Sequence, residues 1–368
     1  MSDISKMNVL IVDDTPFYRK VLTDVLRKLP QIDNIQVATN GESALQKLEK
    51  AKYNLILLDV NMPGLGGLET LKKITTLYPH TTVVMLSSEN KTATDTTLES
   101  LRAGAVDFIE KPTSNDLQEN IHSLSKDIKR IITLIHIREK NPPVKKHPII
   151  YPASKITTKP SSPTTIPGPF DLITIGCSTG GPQALSAILP HFPKNTNCPI
   201  LIVQHMSPTF TTSLAEMLNQ VSSLPVKEAS HNELALKNNI YIAPGNLHMK
   251  ILCDHKNPTH PILIQLNDKP KSHEPRPSFD VLLESISNFP EIITLCIVLT
   301  GMGSDGMNGI SRIPHEKRFC IAQDPITCAI YGMPKAIIEH NLADAIVPLS
   351  DIPDRVKTLL SSKNSPLA

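Results

Sequence analysis

Residues Asp171–Leu185 read DLITIGCSTGGPQAL. An apolar run from Leu172 to Gly176 ends in a glycine turn, and a helix-compatible segment follows from near Pro182. Strand, tight turn and helix in succession form the building unit of an α/β domain. Such a turn supports two chemistries. Backbone N–H groups at a helix N-terminus can cradle a phosphate, or a strained turn can present a nucleophile, as in the pattern G-x-S-x-G. Gly176, Ser178 and Gly180 fit the second pattern, whereas the stretch fits neither G-x-G-x-x-G nor a P-loop, which needs a lysine after the glycines. A bare five-residue match is weak evidence, so the partners of Ser178 decide the matter.

A serine nucleophile needs a base and an acid that orients it. The next apolar run, PILIVQHMSP (199–208), places His205 at its carboxyl edge. A third run, IITLCIVLT (292–300), passes into GMGSDG, where Asp305 sits in a second glycine turn. If the three runs are neighbouring parallel strands, all three groups converge on one sheet edge, where open α/β sheets bind ligands. His205 taken alone reads equally well as a hydrogen-bonded strand-end histidine. The chain order Ser178, His205, Asp305 differs from the Ser, acid, His order of α/β-hydrolases. In that arrangement His315 or His340 would have to serve, and neither follows a strand.

At 368 residues the chain exceeds one typical core, and its 40% apolar content suffices for two. Asn141–Pro169 is dense in Pro, Ser, Thr and Lys and reads as a linker. It separates a domain over 1–140 from one over 170–368. Helices are expected after the second domain's strand candidates, near Pro182, Pro208, Ser304 and Met333. NIYIAPGNLHMKILCDH (239–255) looks like hairpins, so a doubly wound α/β sheet with a small antiparallel insertion is expected. The net charge of +2 argues against nucleic acid as the main partner. Six scattered cysteines suit a reducing compartment. No run approaches the length of a membrane span, and MSDISKMNVLIVDD lacks a signal-peptide layout. A cytoplasmic monomer without membrane insertion is expected. His248, Cys253, Asp254 and His255 are ligand types, but their spacing fits no zinc pattern.

In the first domain MNVLIVDD, IQVATN, NLILLDV, TTVVMLSS and AVDFIEKP read as five strands separated by helical segments. This alternation implies a parallel, doubly wound sheet of flavodoxin-like type. Asp13 and Asp14, Asp59, Ser87 with Ser88, and Lys111 fall at strand ends. Acids there often only cap helices. A cluster that would repel itself makes sense around a hard cation, and Mg²⁺ takes one or two carboxylates plus phosphate and water.

At these positions the domain resembles a response-regulator receiver over essentially its whole length. The resemblance makes Asp59 the phospho-acceptor, and Asp13 and Asp14 the acidic pair that binds Mg²⁺ together with Asp59. Asn61, in DVNMPG, adds its backbone carbonyl to that metal set. Ser87, Lys111 and Phe108 become the switch hydroxyl, lysine and aromatic, and a histidine kinase becomes the phospho-donor. Gly66 departs from the acid common in that loop.

The second domain, from Phe170 to near Leu360, resembles the catalytic domain of the chemotaxis protein-glutamate methylesterases. The matching stretches are GCSTGGPQAL, QHMSPTFTTSLAEMLN, IYIAPGNLHM, PRPSFDVL, LTGMGSDGMNG, IAQD and YGMPKAI. The resemblance implies Ser178 as nucleophile, His205 as base and Asp305 as orienting acid. It also implies oxyanion donors at Met302 and Thr179, and no cofactor for the ester chemistry. The implied substrates are glutamyl methyl esters and certain glutamines on chemoreceptor cytoplasmic domains. Pro275 stands where a histidine often precedes RPS, and Pro314 should end the helix after GMGSDG early. Two other classes remain: a receiver-linked module that binds an anion at GCSTGG, and a regulator acting on DNA, which lacks a basic recognition helix.

Overall fold

The computed structural model describes residues 6–88, 90–112, 117–140, 169–253, 261–268 and 275–361. Residues 141–168 of the expected linker, with Asp254 and His255, lie outside that set. The chain divides into two compact units between Asn141 and Pro142.

The first unit alternates strand and helix throughout: β1 (Met7–Val12), α1 (Pro16–Arg27), β2 (Ile32–Ala38), α2 (Gly41–Lys50), β3 (Leu55–Asp59), α3 (Gly67–Leu77), β4 (Thr82–Ser87), α4 (Lys91–Arg102), β5 (Asp107–Glu110) and α5 (Leu117–Lys140). The strands form one parallel sheet in the order β2-β1-β3-β4-β5. Val9–Val12 and Leu55–Leu58 are buried on both faces, as continuous apolar runs in a helix-covered sheet require. On α1 the residues Val21, Leu22, Val25 and Leu26 form the buried stripe that their spacing predicts. Asn40 starts α2 through a capping box with Ser43, and Asn90 starts α4 by accepting the Ala93 N–H. The sheet order reverses between β1 and β3, which opens a crevice at their carboxyl ends.

The second unit contains β6 (Leu172–Cys177), α6 (Gly181–Ile188), β7 (Ile200–Gln204), α7 (Pro208–Val221), β8 (Val226–Glu228), β9 (Glu233–Leu234), β10 (Ile240–Ile242), β11 (His248–Cys253), β12 (Ile262–Asn267), α8 (Phe279–Ser287), β13 (Thr294–Val298), α9 (Met307–Arg312), β14 (Arg318–Gln323), α10 (Met333–Glu339), β15 (Ala345–Val347) and α11 (Ile352–Ser361). Seven strands form a parallel sheet in the order β15-β14-β13-β6-β7-β10-β8. The antiparallel sheet is β11-β12-β9.

One expectation needs correction. Ile240–Ile242 was expected in a hairpin, yet it is a parallel strand between β7 and β8 and is fully buried. Three residues are too few to show a period, so a buried parallel strand and a hairpin arm read alike. Among the described residues only β11–β12, with β9 added at its edge, is antiparallel. The helix after GMGSDG does end early, at Arg312. Ile313 is extended (φ −82°, ψ 122°), the conformation that a following proline favours.

Candidate active site

β6 lies between β7, the next strand in the chain, and β13, which begins the other half of the sheet, so the strand order switches there. Ser178, His205 and Asp305 follow β6, β7 and β13, on the carboxyl side of that switch point. The backbone pairing extends past the strands to hold them: Ser178 N–H donates to Thr300 O at 3.1 Å, and His205 N–H to Cys177 O at 3.2 Å. Two glycines make the approach possible. A Cβ on Gly301 would come 2.8 Å from Ser178 Cβ, and one on Gly181 would come 1.9 Å from Gln204 Oε1. Gly180, the residue capping α6, has φ +79°, which an L side chain rarely adopts.

His205 Nε2 lies 2.7 Å from Asp305 Oδ2. Asp305 Oδ2 also accepts the Phe279 N–H at 2.6 Å. Its Oδ1 accepts the Ser278 hydroxyl at 2.9 Å and the Asp280 N–H at 2.8 Å. The acid is thus seated on the N-terminus of α8, where peptide dipoles favour negative charge. Burial pushes its carboxyl up, but the His205 bond and charge together with the Asp280 and Phe279 amides outweigh it. They hold the group below the usual carboxylate range. With Nε2 donating to the carboxylate, His205 Nδ1 is left with its lone pair. No hydrogen bond joins Ser178 Oγ to His205 among the described residues, and such bonds are often long before substrate binds.

The residues expected to supply oxyanion donors are Thr179, next to the serine, and Met302. Thr179 is buried, and its carbonyl accepts the Thr300 hydroxyl at 3.0 Å. Met302 follows Gly301, whose N–H donates to Ile330 O at 3.1 Å and whose carbonyl accepts the N–H groups of Gly332 and Met333. Cys177 is fully buried with its thiol donating to Gln204 Oε1 at 3.0 Å, and burial pushes that thiol far up. It packs, as its place on the strand implies.

In the first unit Lys111 Nζ lies 2.8 Å from Asp13 Oδ2 and 2.7 Å from Asp59 Oδ2. Burial, opposed by Lys111 and reinforced by Asp13, pushes the Asp59 carboxyl up to about 6. Asp13, Asp14 and Asp59 each offer an oxygen within 4.8 Å of the others. Among the described residues no other trio of histidine, cysteine or acid is close enough to share an ion. Three hard oxygen donors, with exposed Asp14 at the mouth, fit Mg²⁺. Asn61 N–H donates to Asp59 Oδ1 at 3.3 Å, which brings its backbone to the cluster. Ser87 accepts the Thr97 hydroxyl at 2.8 Å, and Ser87 O accepts the Lys111 N–H. Phe108 is half-buried on β5.

Residues 173–356 match the family described as CheB methylesterase, and residues 9–122 match the response regulator receiver domain. The protein-glutamate methylesterase/protein-glutamine glutaminase 1 of Syntrophomonas wolfei is 36% identical over 96% of this chain and 99% of its own. The chain belongs to the CheB methylesterase family. The protein-glutamate methylesterase/protein-glutamine glutaminase of Bacillus subtilis is 35% identical over 94% of this chain and 96% of its own. The crystal structure of the Thermotoga maritima CheB methylesterase catalytic domain is 37% identical, covering 52% of this chain and 98% of that one, with a TM-score of 0.49.

This CheB methylesterase places several side chains around the expected set that sequence reasoning did not single out. Gln204, 1% exposed, donates through Nε2 to Ser178 O at 2.9 Å and to His205 O at 3.2 Å, so one amide ties the turn of Ser178 to that of His205. A polar residue closing an otherwise apolar strand was the available signal. Thr300 joins the turns of Ser178 and Ile330, and its N–H donates to buried Gln323 at 2.8 Å. Ser278 caps α8 by accepting the Val281 N–H, and its hydroxyl also donates to Asp305.

Proposed function

We propose that this protein is a phosphorylation-activated hydrolase of chemotactic adaptation. It removes methyl esters from glutamate side chains of chemoreceptors, releasing methanol, and deamidates receptor glutamines. As a CheB methylesterase it belongs to the enzyme class of protein-glutamate methylesterases and glutaminases. The observation that carries the mechanistic reading is the 2.7 Å His205–Asp305 pair beside the Ser178 turn.

Ser178 Oγ attacks the side-chain carbonyl carbon while His205 Nδ1 takes the hydroxyl proton. Negative charge on the carbonyl oxygen meets the backbone N–H groups of Met302 and Thr179. The intermediate collapses as His205 returns the proton to departing methanol, or to ammonia from a glutamine. Water then adds to the acyl-serine with His205 as base, and glutamate leaves as Ser178 regains its proton. No cofactor enters these steps. Asp305 orients His205 and stabilises the imidazolium that forms.

Regulation falls to residues 1–140, which serve as the receiver. Residues 141–169 are the linker and 170–368 the catalytic domain. A histidine kinase supplies the phosphoryl group and Asp59 accepts it. Asp13, Asp14, Asp59 and the Asn61 carbonyl would hold Mg²⁺, which supplies charge neutralisation at the transferring group when bound. Lys111 balances the remaining carboxylate charge, and Ser87 and Phe108 respond to the phosphorylated state. Unphosphorylated, the receiver restrains the catalytic domain. The chain acts in the cytoplasm as a monomer and without nucleic acid. No helix among the described residues is long and apolar enough to cross a membrane.

The test is methanol release from methylated receptor cytoplasmic fragments, with and without Mg²⁺ and a small phospho-donor. Ser178→Ala should abolish release, whereas a purely anion-binding glycine turn would keep its ligand. Asp59→Asn should leave basal release but remove its stimulation by phospho-donor. Release unaffected by Ser178→Ala would overturn the mechanism, and stimulation that survives Asp59→Asn would overturn the switch.

A further inference from the structure

Asp280 is the second residue of α8 and is 5% exposed. An acid in a first helical turn ordinarily serves its own helix end. This one reaches across to another segment. Its Oδ1 accepts the N–H of Gly306 at 2.9 Å and of Gly309 at 2.6 Å, and its Oδ2 accepts Asn308 Nδ2 at 3.3 Å. All three residues lie within four positions after Asp305. In return, Asp280's own N–H donates to Asp305 Oδ1 at 2.8 Å. Each aspartate therefore receives N–H groups from the segment that carries the other.

The arrangement answers a need of α9. Its capping residue, Gly306, has φ +100° and no side chain, so the helix has no cap of its own. Asp280 supplies one from outside. Gly309 allows the required approach, since a Cβ there would stand 2.5 Å from Leu283 Cβ and 3.0 Å from Asp280 O. The arrangement also places a second buried carboxylate beside the triad acid. Burial and the Asp305 charge push Asp280 up, opposed by the Gly309 and Gly306 amides and the Asn308 side chain. For stability alone, a second acid beside a buried first one is a poor choice.

Resting on the Ser-His-Asp reading above, we propose that Asp280 is a positioning residue for the triad acid. By pinning the turn from Asp305 to Gly309, it keeps the Asp305 carboxylate on the α8 amides and in line with His205 Nε2. It touches no substrate.

The test is a double-mutant cycle on the full chain, read as kcat and KM for methanol release. Asp280→Ala should lower kcat by about 10²-fold, the scale of a misplacement near 1 Å, with KM within about twofold. Asp280→Asn, which keeps an acceptor for both amides, should recover most of that loss. In an Asp305→Ala background, Asp280→Ala should cost nothing further. An equal fold-loss in both backgrounds, or an unchanged kcat, overturns the proposal. If the alanine variant does not fold, Asp280→Ser, with a hydroxyl too short to bridge both amides, takes its place in the same cycle and is judged by the same two outcomes. A wild type that releases no methanol fails the enzymatic reading instead, so the two failures are distinct.

Discussion

At the Asp305 carboxylate, four donors meet two oxygens: His205, the Ser278 hydroxyl and the amides of Phe279 and Asp280. Because these partners hold its folded pKa below the unfolded value of about 3.9, the ionised group contributes stability. That contribution is complete above the unfolded pKa and is lost as pH falls through the lower folded one. The stability gap between wild type and Asp305→Asn should therefore be largest near neutrality and shrink as pH drops below about 4, read by urea melts at several pH values. A gap constant with pH would mean that shape, not charge, seats the residue. That Ser178, His205 and Asp305 lie at one sheet edge was legible from their places after apolar runs, because a parallel sheet collects strand ends there. Gln204 and Asp280 were not, because their roles lie in which distant backbone atoms they meet, and spacing along the chain carries no record of that.

At the scale of elements, α8 does two jobs through adjacent residues. Its amide end seats Asp305, while Phe279 is fully buried with its ring against both glycine turns. A Cβ on Gly176 would come 2.2 Å, and one on Gly306 2.6 Å, from Phe279 Cδ1. Phe279→Ala should cost about 3–5 kcal/mol by cavity formation. Since the cavity lies between the turns of Ser178 and Asp305, activity should fall before the fold is lost. Denaturant melts beside kcat at low temperature check this, and a variant with full activity despite the stability loss would uncouple ring from site. The alternation of strands and helices was legible in both units because long apolar runs and 3.6-residue stripes are strong local signals. β10 was misassigned and β15 went unread, since three residues of Ile-Tyr-Ile or Ala-Ile-Val show no period, and their identity as strands comes from the neighbours they pair with.

Across the whole chain the same rule operates twice, since each unit gathers its polar groups where the order of a parallel sheet reverses. The two units should respond separately to a divalent ion. Mg²⁺ at a hundredfold excess over its Kd should stabilise the receiver by about 2.7 kcal/mol. In calorimetry one transition should rise and the other stay, and Asp13→Asn with Asp14→Asn should abolish the rise. Movement of both transitions together would show that the units unfold as one.

The seat of Asp305 has a consequence for how the two sites meet their surroundings. Peptide groups that neutralise a carboxylate are laid down when the chain folds. They do not dissolve away in salt, dilute or compete with other ions. The acids around Lys111 include the exposed Asp14, so if they hold Mg²⁺ as proposed, part of their compensating charge arrives from solution. One site is finished at birth and constant thereafter, while under the proposed switch the other is completed by its environment, which would let it carry a signal.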